Sequence, residues 1–224
     1  MLWCLERKKP PVKCTAQDAV DDEGKPQLFP QDYKSLAISR FRSMVVGQNL
    51  LKGQTRGHIT WYVKKLRDGK AKYLEASEHI RRMENYYVPW EVIGVLHGLE
   101  ASFDFNKQIL NGQPWKQRTT WVPKNLGPWQ SWLHSTFDGI EHEIKYNPIP
   151  DRWGIAETAL FFERWNGMGY WRRHRHPSPY LWAYTSVQER GKYVSDGKFS
   201  GSAVSRQVGA MAQLDKLNFF LVQA

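Results

Sequence analysis

The chain has 224 residues, enough for one domain of good size whose core needs neither disulfides nor metal to hold it. Its 41% hydrophobic and 24% charged residues are those of an ordinary globular protein, and no apolar run is long enough for a membrane-spanning helix. The formal net charge of +10 points to a polyanionic partner but does not choose between nucleic acid, an anionic membrane and a wall rich in carboxylates and phosphates.

Residues 1–31 read as an extension. They hold Lys8-Lys9-Pro10-Pro11, a polar run from Asp18 to Lys25 and no periodic apolar pattern. Cys4 and Cys14 both fall here and read as free thiols of a reducing compartment. The first residues place charge after a very short apolar stretch, the reverse of a signal peptide, so the chain is expected to stay in the cytoplasm until something else lets it out. Residues 32–224 read as a single domain. Leu36, Phe41, Met44 and Val45, then Ile59, Tyr62, Val63 and Leu66, then Tyr73, Ile80 and Met83 recur at helical spacing, with breaks near Gly53 and Gly69.

Pro89 is suited to open the next helix, and from Trp90 to Glu100 nearly every residue is apolar or small. A helix apolar on all sides is a buried central helix. Beyond it, residues 102–133 are rich in Gly, Pro, Thr and Trp, with Arg118–Val122 as the one strand-like run. Helical texture returns over Ser135–Ile144 and Ile155–Trp165. A Gly/Pro/aromatic region fills 166–199, and a last helix carries Val204, Val208, Met211 and Leu214 on one face. The expected fold class is mainly α, with a small irregular β region after the central helix.

Glu100 closes that apolar helix. A carboxyl group there is either the solvated end of the helix or an acid held in a desolvated cleft, where burial and the helix C-terminus both favour the protonated form. A proton kept near neutral pH is what glycoside cleavage needs at the departing oxygen. His97, one turn earlier, is placed to bond Glu100 or a nearby backbone group. Eleven tryptophans exceed the needs of a small core and suit a cleft that stacks against flat or sugar-like faces.

Five blocks in order, His97-Gly-Leu-Glu100, Asn111-Gly-Gln-Pro114, Asn166-Gly-Met-Gly-Tyr170, Ser178-Pro-Tyr-Leu-Trp182 and Gly191-Lys-Tyr-Val-Ser-Asp-Gly-Lys-Phe199, resemble a family of phage and prophage lysozyme-like endolysins. That family is similar in turn to goose-type lysozymes and soluble lytic transglycosylases. The resemblance, spanning about Asp32 to Leu217, implies a lysozyme-like α+β fold with the β region beside the active-site cleft. It implies peptidoglycan as substrate and Glu100 as catalytic acid. It also implies Asn166, Gly167 and Tyr170 along the sugar cleft, with His97, Tyr180 and Trp182 as further substrate-binding candidates. Many such proteins carry Ser directly after the acid, where this chain has Ala101 followed by Ser102.

For an inverting reaction a second carboxylate must hold water. Asp138 is the first candidate for that role, or else caps its helix, and Asp104 is the alternative if the Glu100 helix runs on. A lytic transglycosylase needs none. His174 and His176 lack a third ligand at a telling distance, so no metal or cofactor is expected. The basic run Arg172-Arg-His-Arg175 reads as a rim that meets anionic envelope rather than as a nucleic-acid site. The whole reads as a monomeric glycosidase that cuts the β-1,4 bond between N-acetylmuramic acid and N-acetylglucosamine after release to the wall, with a holin as the expected route. Lytic transglycosylase is the alternative, and a non-catalytic cationic wall- or nucleic-acid-binding protein the more distant one.

Overall fold

The computed structural model describes residues 31–195 and 197–222. Cys4, Cys14 and all but the last residue of the N-terminal extension lie outside them. The described chain is mainly helical with one small antiparallel hairpin. Six helices of eleven residues or more follow in order: α1 (Gln31–Ser43), α2 (Arg56–Asp68), α3 (Lys70–Met83), α4 (Trp90–Ala101), α5 (Trp132–Ile144) and α6 (Ile155–Trp165). A π-turn (Tyr170–His174) and the short α7 (Pro179–Trp182) precede strands β1 (Lys192–Ser195) and β2 (Lys198–Ser200), and α8 (Ala210–Lys216) and α9 (Phe219–Val222) close the chain.

The central helix is α4. Every residue from Val92 to Ala101 is buried, and α3 packs along it with α2 and α8 at its flanks. Val92, Ile93, Val95 and Leu96 have no exposure at all, and each such side chain contributes about 1.5–3 kcal/mol on burial. Two glycines set how closely its neighbours approach. A Cβ on Gly94 would press into Leu66 and Tyr73, and one on Gly98 would overlap the ring of Phe103. Pro89 is the residue before the first turn, consistent with its missing N–H costing nothing there. At the other end Ser102 (φ 54°) and Phe103 (φ 62°) are both left-handed, and their amides return to the carbonyls of Gly98 and His97. The helix therefore stops at Ala101, and Asp104 does not continue its face.

The expected β region falls elsewhere than its sequence texture indicated. Arg118–Val122 is not a strand. It lies in a loop from 102 to 131 whose amides are met by side chains, chiefly those of Gln113 and Thr119. The hairpin is β1–β2, with Tyr193 opposite Phe199, and the amide of Tyr193 donates to Tyr170 Oη at 3.0 Å. Of the last predicted helix only the part from Ala210 forms; Val208 precedes it but is buried in the core. Helix α5 starts at Trp132 because Ser131 Oγ accepts from the amide of His134 at 3.1 Å. No helix among the described residues is long and apolar enough to cross a membrane.

Candidate active site

Glu100 is 4% exposed, so its carboxyl group is almost wholly removed from water at the end of α4. Tyr180, on α7, donates its hydroxyl to Glu100 Oε1 at 2.8 Å. That hydrogen bond unites two of the five sequence blocks. A third joins through Gly112: with φ +70° it lies against the backbone carbonyl of Glu100, leaving no room for a Cβ. The fourth is tied in through Asn166, whose Nδ2 donates to Ser178 Oγ at 3.3 Å, while the same Ser178 oxygen caps α7 at the amide of Tyr180. The fifth is the hairpin, held to Tyr170 as described above.

The polar groups at this helix end are closely accounted for. The carbonyls of His97 and Gly98 receive the amides of Phe103 and Ser102, and the carbonyl of Ala101 receives that of Asp104. The carbonyl of Leu99 accepts from Gln207 Nε2 at 2.5 Å. Gln207 was not legible as a site residue. It is one polar residue before an apolar helix, and only the folded chain shows that it reaches across 108 residues to the turn that carries the acid. Ser102 is exposed, and no hydrogen bond joins its hydroxyl to Glu100 among the described residues.

His97 does not turn to Glu100. It is fully buried, with Tyr73 Oη 2.9 Å from Nδ1 and the carbonyl of Asp104 3.1 Å from Nε2. The second of its two expected arrangements, a bond to nearby backbone, is the one found. Burial pushes its pKa down to about 4, so the ring is neutral, packed among Tyr73, Phe103, Phe105 and Trp132. A ring without exposure cannot touch a bound glycan. Trp182, at 1% exposure, is core for the same reason, and Tyr170 is buried between Tyr193, His176 and Phe199 rather than presented as an open platform. Gly167 is left-handed (φ 87°), as the end of a helix at Asn166-Gly167 requires.

The two candidate bases both have other partners. Asp138 sits in the middle of α5, not at its start, so it caps nothing; its carboxylate is exposed and accepts from Trp129 Nε1 at 2.8 Å. Asp104 would have its pKa raised by burial, but hydrogen bonds from Asn106 and the charge of Lys107 outweigh that and hold it below the ordinary value. A second buried carboxyl, Glu163 on α6, was missed because it is flanked by Phe162 and Arg164 as though amphipathic. It is 2% exposed and burial pushes its pKa up to about 8, with Tyr33 Oη 3.4 Å from Oε2.

The basic run meets the hairpin through His174, which lies 3.0 Å from Tyr193 Oη. Arg173 and Arg175 are exposed, Arg175 lies over the Trp171 ring, and His174 stacks on Phe199 at 4.0 Å. Burial, and then the positive charge of Arg172, push Arg164 below its usual value. No group of three His, Cys, Asp or Glu residues suited to a metal occurs among the described residues. A shallow groove of about 520 Å³ along α1, lined by Ser35, Ile38, Ser39, Arg42 and Ser43, holds no carboxyl group and is not a candidate site. Compared with protein-family models, curated proteins and solved structures, the chain matches none.

Proposed function

We propose that the chain is a peptidoglycan glycan-strand hydrolase, a muramidase in which Glu100 protonates the glycosidic oxygen of the bond after N-acetylmuramic acid. The observation that carries this reading is the Glu100–Tyr180 pair: a carboxyl group all but removed from water at a buried helix end, with one hydroxyl donor fixed on it. A structural carboxylate at a helix C-terminus gains nothing from that place, since the helix dipole disfavours its charge. An acid that must hold and then release a proton does gain. The resemblance of the five blocks to lysozyme-like endolysins supports the same assignment, because Gly112 and Tyr180 both meet Glu100 and Ser178 caps the turn that carries Tyr180. In this reading Tyr180 is the substrate-binding candidate that remains beside the acid, whereas His97 and Trp182 belong to the core.

The basic rim near Arg173 and Arg175 holds the enzyme on the anionic wall. One observation favours a second outcome of the same site. Both candidate bases already accept hydrogen bonds, Asp138 from Trp129 and Asp104 from Asn106, as suits a lytic transglycosylase, whose substrate hydroxyl attacks and needs no such base. Mass spectrometry of digested sacculi tests both: reducing muramic ends are expected for the hydrolase and anhydro ends for the transglycosylase. Sacculi left uncut by the parent chain would end the enzymatic reading.

A further inference from the structure

The turn at 119–122 is bound through side chains to the run 111–113, whose Gly112 rests on the Glu100 helix end. Gln113 Oε1 accepts from the amides of Thr120 and Trp121, each at 2.9 Å, and its Nε2 donates to Thr120 Oγ1 at 2.9 Å. Asn111 Nδ2 lies 3.2 Å from the carbonyl of Trp121 and 3.3 Å from that of Val122. Both amide side chains are buried, and Gly112 between them rests on the carbonyl of Glu100. A buried amide left unmatched is costly, so these two are committed to one geometry. The consequence is that Trp121 has both its N–H and its C=O clamped, by the same three-residue run that abuts the Glu100 backbone carbonyl.

Three tryptophans occupy this loop, and they differ in what their indoles do. Trp115 Nε1 donates to the carbonyl of Phe105 at 2.9 Å, and Trp129 Nε1 to Asp138. Trp121 is only partly buried, and among the described residues no acceptor takes its indole N–H. A flat ring on a rigid backbone, with its polar edge unspent, offers contact area at little ordering cost.

Resting on Glu100 as the acid of a glycan-cutting enzyme, we propose that Trp121 is a stacking platform for an N-acetylhexosamine ring of the bound strand, held in place by Asn111 and Gln113. The apolar C–H face of the sugar lies on the indole, and the indole N–H is offered to a hydroxyl or acetamido oxygen. Asn111 and Gln113 act through Trp121 as positioning residues.

The test uses the full chain with Glu100→Gln, which keeps bound sugar uncut, titrated calorimetrically with a soluble tetrasaccharide of alternating N-acetylglucosamine and N-acetylmuramic acid. Adding Trp121→Ala should weaken binding about tenfold or more, and adding Asn111→Ala should weaken it in the same direction. Trp90→Phe, at the opposite end of α4 under Lys70, should leave it unchanged. A second measurement needs no disruptive variant: the indole N–H resonance of Trp121, assigned by its loss in Trp121→Phe, should move on titration. Binding by the parent with neither a Trp121→Ala effect nor a moving resonance would overturn the platform alone. If the wild-type chain neither cuts sacculi nor its Glu100→Gln form binds the tetrasaccharide, the glycan reading falls and the platform with it.

Discussion

Tyr180 Oη stands 2.8 Å from Glu100 Oε1 across 80 residues of chain, so the acid is set by two helices rather than one. Glu100→Gln should abolish lysis of purified walls while leaving the melting temperature close to the parent's. Tyr180→Phe removes one hydrogen bond to the carboxyl group, a loss of about 1.5–3 kcal/mol, and should lower turnover roughly 10- to 100-fold. Full activity in Tyr180→Phe, measured by turbidity of sacculi, would show that the contact is structural.

Gly112→Ala should be among the most damaging single-methyl changes in the protein. Its φ of +70° disfavours any side chain, and the new carbon would strike the carbonyl of Glu100. We expect a loss of about 2–4 kcal/mol together with most of the activity. Thermal melting and wall lysis check it, and a stable, active Gly112→Ala would mean that the loop is free to withdraw from the acid.

Two buried groups give stability opposite slopes with pH. Glu163 keeps its proton in the fold up to about pH 8, whereas the unfolded chain loses it near the ordinary value of 4.5, so folding weakens as pH rises between those values. His97 stays neutral in the fold down to about pH 4, whereas the unfolded chain takes up a proton near 6.5, so folding weakens as pH falls through that range. Between about 4.5 and 6.5 they offset one another, and above 6.5 the Glu163 loss stands alone until about pH 8. Glu163→Gln should therefore flatten the decline, on the order of 5 kcal/mol over its whole range and roughly 3 kcal/mol above pH 6, with denaturant melts from pH 6 to 9 as the measurement. An unchanged profile would show that the carboxyl group titrates normally.

Asp138→Asn separates the two reaction types. As the base of an inverting hydrolase it should cost about 10²- to 10⁴-fold in turnover with little change in substrate affinity. A loss below threefold, with anhydro products from the parent, would place water activation elsewhere and leave Asp138 as the anchor of Trp129.

Wall binding should be steeply salt-dependent. The exposed Arg173 and Arg175 and the net charge of +10 act through solvent, where screening sets in over roughly 8 Å at physiological ionic strength. Sedimentation with sacculi should show binding falling about tenfold from low to high salt. Binding indifferent to salt would assign it to aromatic contacts instead.

Helix positions were largely legible in the sequence because burial imposes a period on apolar residues. Ile155–Trp165 is α6 to the residue, and the breaks near Gly53 and Gly69 bound α2. Glu100 stood out for the same reason, as a charge ending an apolar run. What failed were inferences from local spacing where distant contacts decide. His97 shares a face with Glu100 in a helical projection, but one turn back from the helix end that face is filled by Tyr73, Phe103, Phe105 and Trp132. Arg118–Val122 has strand-like residues, yet Gln113 takes two of its amides, so no strand forms. The hairpin had a local signal, Asp196-Gly197 between Lys192–Ser195 and Lys198–Ser200, which the aromatic loop texture around it concealed. Gln207 had none.

The bond from Gln207 to Leu99 gives the molecule an order of assembly during its own synthesis. The turn that carries Glu100 is made before its supports: Tyr180 follows Glu100 by 80 residues and Gln207 follows Leu99 by 108. A chain still on the ribosome, or one cut short before Tyr180, has Glu100 without the two side chains that hold its helix end. The site thus acquires its full setting only after the chain has run more than a hundred residues beyond the helix that carries Glu100.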